Sequence, residues 1–133
     1  MFSQSHIIFG PDNNLYISSA SKDNVLRFNG TSGAFINEFV TAGSGGLDSA
    51  RGLAFGPDGN LYVVSTFGNE ILRYNGTTGA FIDMFVGSDL NFPVDLLFSP
   101  SSIIPEPSSI TLLITGASGL IGYGWRRKRK MAA

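Results

Sequence analysis

Few side chains in this 133-residue sequence could take part in chemistry. His6 is the only histidine, and a lone histidine near the start of a strand is more often a surface or partly buried residue than a catalyst. Asp12 and Asp58 stand in two matching turns, where an aspartate usually caps its own backbone. Asp48 and Asp95 lie in or beside links, with no evident converging partners. We therefore expect no catalytic residue, no metal site, no cofactor and no enzyme activity.

Residues 114–122 form a glycine-rich stretch that resembles the dinucleotide-binding turn of short-chain dehydrogenases and epimerases. Such a site also needs a following helix, a unit of ~30 residues and an acidic residue ~20 positions further on. Only 11 residues follow Gly122, and five of them are consecutive cations. We interpret these glycines instead as small residues of the kind common in membrane helices.

The C-terminal residues 101–133 contain three segments. Residues 101–107 form a linker that includes Pro105, Glu106 and Pro107, and the prolines hold it extended because they preset φ and disfavour helix before them. Residues 108–125 are uncharged, and as a helix they would reach ~27 Å at ~1.5 Å per residue, close to the ~30 Å hydrocarbon core. The five cations that follow are Arg126, Arg127, Lys128, Arg129 and Lys130. We predict a transmembrane helix over 108–125, with Trp125 at the interface and a cytoplasmic tail over 126–133.

This order of segments resembles the PEP-CTERM sorting signal of bacterial surface proteins. In that family a Pro-Glu-Pro triplet, an apolar helix and an arginine-rich cluster stand at the C-terminus. The resemblance implies that an exosortase-type membrane enzyme processes the chain, with Pro105, Glu106 and Pro107 as its recognition element. It also implies a location in the cell envelope.

Charge and composition divide the chain at the same place. Residues 1–105 carry four basic and nine acidic groups, so this part of the chain is acidic and nucleic acid is not an expected partner. Taken alone, the basic cluster 126–130 could also indicate a nucleic-acid patch, but directly after an apolar run it favours a stop-transfer flank. The chain has no cysteine, which excludes disulfides and thiolate metal sites. Residues 1–6 show no secretory signal pattern, so we expect either an upstream start or insertion by the tail.

The sequence before the C-terminal tail contains two copies of one repeat unit. Residues 5–40 and 51–86 align without gaps and share 19 identities in 36 positions. A third copy opens at Asp95. We place the units at about 5–50 and 51–94, with a third starting at 95, all within a domain over residues 1–100.

Each unit predicts four short strands, because runs rich in β-branched and aromatic residues are separated by turn signals such as Asp58-Gly59. The predicted strands of the second unit are Gly52–Phe55, Leu61–Ser65, Ile71–Tyr74 and Ala80–Val86. In the last strand we expect Phe81, Asp83 and Phe85 on one face. The fold class is therefore all-β, and a period in the forties with four strands per unit is typical of a propeller blade.

The residues 52–63 and 71–74 resemble NHL-type repeats and the related lyase-like and lactonase-like propellers. Propellers have four to eight blades, so two blades and the start of a third cannot close a ring. We expect bare blade faces, and residues 1–102 alone should be marginally stable or self-associating.

Three further features repeat or differ between the units. Asn29-Gly30-Thr31 and its copy at 75–77 match a glycosylation pattern, but we favour turns in which Asn-Gly supplies positive φ. Arg27 and Arg73 recur at the same place inside a predicted strand, and we expect each to make structural pairs within its own blade. The loops 20–24 and 66–70 share no identity, which makes this rim the expected contact surface for an extracellular polysaccharide or protein.

Together these features predict a non-enzymatic module, surface-sorted or tethered by a single membrane span, with its blades outside the cell. The lipid bilayer and an exosortase-type enzyme are the expected partners. One alternative is a fragment of a propeller enzyme, lyase-like or lactonase-like, that lacks its active-site blades, and another is a decayed gene without function.

Overall fold

Eight antiparallel strands account for most of the regular structure in the described part of the chain. The computed structural model describes residues 5–87 and 89–99. The first sheet contains β1 (Ile7–Phe9), β2 (Leu15–Ser19), β3 (Asn24–Phe28) and β4 (Phe35–Val40). The second sheet contains β5 (Ala50–Phe55), β6 (Leu61–Ser65), β7 (Glu70–Tyr74) and β8 (Phe81–Val86). Within the described residues the only helical element is a 3-10 turn, Ser44–Gly46, so the predicted all-β class with four strands per unit is confirmed.

Equivalent turns connect the strands of the two sheets. The turn between β1 and β2 places Asn13 at φ 65°, and the matching turn between β5 and β6 places Gly59 at φ 80°. In both, the glycine that opens the turn donates its N–H to a carbonyl four residues later, Asn14 or Asn60, at 2.9 Å. Asparagine and glycine are the residues that adopt positive φ most readily, which explains why the turn tolerates this exchange.

A bulge in each sheet changes which side chains share a face. The pairing of β7 with β8 shifts between Arg73 and Tyr74, and the pairing of β3 with β4 shifts at the matching place. Phe81 therefore packs edge-on against Tyr74, whereas Asp83 pairs with Arg73 on the opposite face. The predicted shared face of Phe81 and Asp83 is wrong, because an extra residue in a strand reverses the alternation beyond it.

The two sheets pack face to face. We call the side of the first sheet that carries Tyr16, Val25 and Phe39 its back face, and the side of the second sheet that carries Leu61 and Tyr74 its front face. These residues belong to one buried apolar cluster. Phe55 of β5 lies edge-on against Tyr16, with ring centroids 5.0 Å apart. The equivalent side of the second sheet is its back face, and the equivalent side of the first sheet is its front face.

The contact between the sheets buries one face of each sheet, as a comparison of equivalent residues in the two repeats shows. Leu61, Leu72 and Tyr74 on the front face of the second sheet are buried. Their counterparts in the first sheet, Leu15, Leu26 and Phe28, are only half-buried. The back faces show the reverse difference, since Phe39 is 4% exposed and its counterpart Phe85 is 49% exposed. Each sheet is therefore covered fully only on the side that meets the other sheet.

Residues 94–98 lie against the back face of the second sheet. Gly52 donates its N–H to the carbonyl of Val94 at 3.0 Å. Phe98 packs edge-on against Tyr62 at 4.7 Å, as Phe55 does against Tyr16. These residues form no strand, but Phe98 takes the position that the opening strand of a third unit would provide.

Three of the predicted segments lie outside the described residues: the proline linker, the transmembrane helix over 108–125 and the basic tail. In residues 5–87 and 89–99, no helix is long and apolar enough to cross a membrane. The compact unit that contains both sheets ends at Phe98.

Equivalent leucines provide a test of the contact between the sheets. We expect Leu72→Ala to lower the free energy of unfolding by about 3 kcal/mol, since truncating a fully buried leucine removes apolar contacts and leaves a cavity. Leu26→Ala, at the matching but half-buried position, should cost about 1 kcal/mol. Urea denaturation of the full chain in mild detergent, followed by circular dichroism at one protein concentration, measures both. Equal losses would contradict the asymmetric burial.

Candidate functional site

An aspartate, a tyrosine and an arginine form the same hydrogen-bonded group in each sheet. In the first sheet, Asp12 Oδ2 accepts a hydrogen bond from the Tyr16 hydroxyl at 2.8 Å and lies 3.4 Å from Arg27 Nη1. Asp12 Oδ1 accepts the backbone N–H of Asn14 at 3.0 Å. In the second sheet, Asp58 makes the same contacts with Tyr62, Arg73 and Asn60. The predicted capping role of both aspartates is confirmed.

These contacts favour the charged form of each carboxyl group. Burial of Asp12 acts to raise its pKa, but the hydrogen bonds from Asn14 and Tyr16 and the charge of Arg27 together hold the pKa below its usual value. The same causes lower the pKa of Asp58. Each carboxylate therefore ties a turn to the next two strands, and its acceptor positions are used within its own sheet.

The two arginines differ in their second partner. Arg73 donates to both carboxylate oxygens of Asp83, from Nε at 3.0 Å and from Nη2 at 2.6 Å. Arg27 donates from Nε to the amide oxygen of Asn37 at 3.2 Å. Each guanidinium also lies over a phenylalanine ring of its own sheet, Phe39 or Phe85. The predicted structural pairing of both arginines is confirmed.

The Asn-Gly-Thr segments form turns, but glycine is needed there for a different reason from the predicted one. The side chain of Asn29 accepts the N–H groups of Thr31 and Ser32 at 2.8 and 2.9 Å, and Asn75 does the same in the second sheet. Positive φ occurs at Gly33 and Gly79 and not at Gly30 or Gly76. A Cβ at Gly30 would collide with the carbonyl of Asn13, so this position needs glycine for close backbone approach.

His6 and Asp95 lie in contact, although no sequence pattern pairs them. The two residues stand in different units, and His6 Nδ1 lies 3.3 Å from Asp95 Oδ1. The same Nδ1 accepts the backbone N–H of Leu53 at 3.2 Å. A ring nitrogen accepts from Leu53 only without a hydrogen and donates to Asp95 only with one, so the two contacts cannot both form at once. Ser5, Arg51 and Val94 complete the walls of a pocket of about 220 Å³ here.

The other candidate aspartate, Asp48, is held through its backbone. Its N–H donates to Ser65 Oγ at 2.9 Å, and its carbonyl accepts from the same hydroxyl at 3.2 Å. A larger cleft of about 420 Å³ is lined by residues that include Asp12, Arg27 and Gly76, of which Asp12 and Arg27 already pair with each other. Among the described residues, no three histidine or acidic side chains stand close enough to hold a metal ion.

The two rim loops differ in sequence but contact the link that follows each sheet in the same way. Asp23 and Asn69 occupy matching positions at φ 57° and 55°. Asp23 Oδ1 accepts the N–H of Ser49 at 2.7 Å, and Asn69 Oδ1 accepts the N–H of Phe92 at 2.8 Å. Each loop therefore holds the link that follows its sheet. One outward difference between the loops is Phe67, an exposed ring that packs against Phe92.

The sorting residues Pro105, Glu106 and Pro107 lie outside the described residues, and so do Trp125 and the basic cluster 126–130. The family model of the PEP-CTERM protein-sorting motif matches residues 104–129. This match covers the triplet, the apolar run and most of the basic cluster. A search of curated proteins found no match for the chain.

The lowered carboxyl pKa values predict loss of stability in acid. A group whose pKa is lower in the folded state stabilises the protein above its unfolded pKa of ~3.9 and loses that contribution as pH falls through the folded value. We expect the double variant D12N/D58N to lose less stability than the wild type between about pH 5 and pH 2.

The measurement is urea unfolding at a series of pH values, with Asp89→Asn as the control at an exposed carboxyl group. The control should follow the wild-type pH profile. If D12N/D58N also follows it, the two carboxylates do not contribute to acid sensitivity.

Proposed function

We propose that this chain is cargo for the bacterial cell surface, carried there by its C-terminal sorting signal. Residues 104–129 match a PEP-CTERM motif, which is a signal for exosortase processing and for delivery to the cell envelope. The paired sheets of residues 5–87 are the part that is delivered. The family match is the observation that carries this proposal, because it recognises three segments in one order and spacing.

In this proposal Pro105, Glu106 and Pro107 are the segment that the exosortase-type enzyme reads. Prolines on both sides of Glu106 keep the backbone extended, so the triplet presents a carboxylate on a preformed strand-like segment. An extended segment loses little conformational entropy when it enters an enzyme cleft. The adjacent apolar run keeps this segment next to the membrane, where an enzyme embedded in the bilayer can reach it.

Residues 108–125 span the membrane once in this proposal. The run is uncharged, and Arg126–Lys130 follow it directly. Cations beside a membrane segment remain on the cytoplasmic side, so the cluster orients the chain with the sheets outside. Trp125 lies between the apolar run and the cations, at the depth that suits an aromatic side chain in the interface.

We further propose that the two sheets act as a non-enzymatic blade-like module. The support for this role is the use of the charged groups in the described residues. Asp12, Asp58, Arg27 and Arg73 repeat between the sheets, and all four hydrogen-bond within their own sheet. Their repetition is therefore explained by their role in holding each sheet together.

The sorting role of the triplet can be tested on a reporter. Residues 101–133 are fused to a secreted reporter in a bacterium that has an exosortase, and processing is followed by immunoblotting. We expect a shortened product on the cell surface, and replacement of Pro105, Glu106 and Pro107 by alanine should leave the full-length fusion in the membrane. Pro100→Ala in a fusion that starts at residue 99 is the matched control and should be processed normally. A fusion that stays soluble and uncleaved would refute the proposal.

The orienting role of the cations needs a separate experiment. Changing all five residues 126–130 to glutamine should reduce retention in the membrane, because the positive charge that stops transfer is lost. Changing the three arginines to lysine keeps the charge and should have no effect. Extraction of membranes with alkaline carbonate measures retention, and equal retention of the glutamine variant would contradict this role.

A further inference from the structure

The two faces of this molecule that are not fully covered are copies of the two faces that pack against each other inside it. The back face of the first sheet packs on the front face of the second. The back face of the second sheet repeats the sequence of the first sheet's back face. The front face of the first sheet likewise repeats the sequence of the second sheet's front face. The chain thus carries both halves of its internal contact a second time, and among the described residues only 94–98 cover part of one of them, the back face of the second sheet.

One position shows this in detail. Inside the molecule, the carbonyl and ring of Phe39 lie against Gly79, which is buried at φ 80°. The counterpart of Phe39 is Phe85, which is 49% exposed. The counterpart of Gly79 is Gly33, which has nearly the same φ of 78° but open space around it. A ring and a glycine that fit each other are therefore both exposed, at opposite ends of the module.

Further apolar side chains surround these two positions. On the front face of the first sheet, Ile7, Phe9 and Phe35 are exposed, and on the back face of the second sheet Ile71 and Val86 are half-buried. Their counterparts on the covered faces include Phe55, Val25 and Val40, which pack in or against the buried cluster. Burial of these residues would remove apolar surface from water on both sides of one contact.

We propose that the chain assembles head to tail with further copies of itself, so that Phe85 of one copy packs over Gly33 of the next. The contact repeats the one between the two sheets of a single chain. It is heterologous, because different surfaces meet, and such contacts close into a ring when the rotation per copy allows it. Since each copy supplies two blade-like sheets, rings of four to eight blades correspond to two, three or four chains.

The inner part of the contact involves an exchange. Phe98 covers Tyr62 within the chain, in the way that Phe55 covers Tyr16. In the assembly Phe9, the counterpart of Phe55, takes this place from Phe98. One phenylalanine contact replaces another, so the outer residues around Phe85 and Gly33 supply most of the gain.

Two variants remove one half of the contact each. Phe85→Ser deletes the ring from the back face without adding a charge beside Arg73. Gly33→Asn fills the space on the front face, and asparagine tolerates positive φ. The matched controls are Phe67→Ser, at another exposed ring, and Gly59→Asn, where the first sheet already carries Asn13 at the equivalent position.

The experiment measures the mass of the full chain in detergent micelles by analytical ultracentrifugation over a range of concentrations. We expect discrete assemblies of two to four chains for the wild type. Phe85→Ser and Gly33→Asn should each weaken association at least about tenfold, as expected where a few residues supply most of the binding energy. Both controls should associate like the wild type, and circular dichroism should show that all four variants are folded.

Mixing the two variants decides whether the contact is head to tail. The Gly33→Asn chain keeps an intact Phe85 surface, and the Phe85→Ser chain keeps an intact Gly33 surface. An equal mixture should therefore form a one-to-one dimer at concentrations where each variant alone stays monomeric. A wild type that stays monomeric, variants that associate as strongly as the wild type, or a mixture that stays monomeric would each overturn the proposal.

Discussion

Packing of one four-stranded sheet on the next is the interaction on which the rest of this structure depends. A short antiparallel meander has two faces and too few residues to bury both by itself. Here the back face of the first sheet and the front face of the second exclude water from each other, and the buried apolar cluster lies between them. The turns, the bulges and the Asp–Tyr–Arg groups keep each sheet in the shape that this contact requires.

The polar groups support that packing from the edges. Asp12 and Asp58 each connect a turn to two strands, and their tyrosine partners present buried rings to the neighbouring element. A buried tyrosine needs a partner for its hydroxyl group, and the carboxylate provides one. Asp12 and Asp58, whose carboxylates are of a type that can perform acid–base chemistry, thus serve here to satisfy the hydroxyl groups of buried tyrosines.

The module and the tail have different tasks in the proposed function. In that proposal the tail would supply the sorting signal and the membrane segment, so the sheets would need only to fold and remain accessible outside the cell. Attachment to a membrane also confines the copies to a surface, which raises their effective concentration for one another. An open array of sheets with complementary ends is suited to such a setting, because association can complete the burial that a single chain leaves unfinished.

The sequence alone determined the repeat, the all-β class, the strand positions to within two residues and the sorting segments, because local patterns and turn residues encode all of these. It also indicated the capping aspartates and the paired arginines, whose partners recur at a fixed spacing. Only the tertiary structure decided that Phe81 and Asp83 face opposite sides, that Gly30 is required by a neighbouring carbonyl, and that His6 meets Asp95. Each of these depends on a register shift or on an approach between distant segments, which only the packed chain defines.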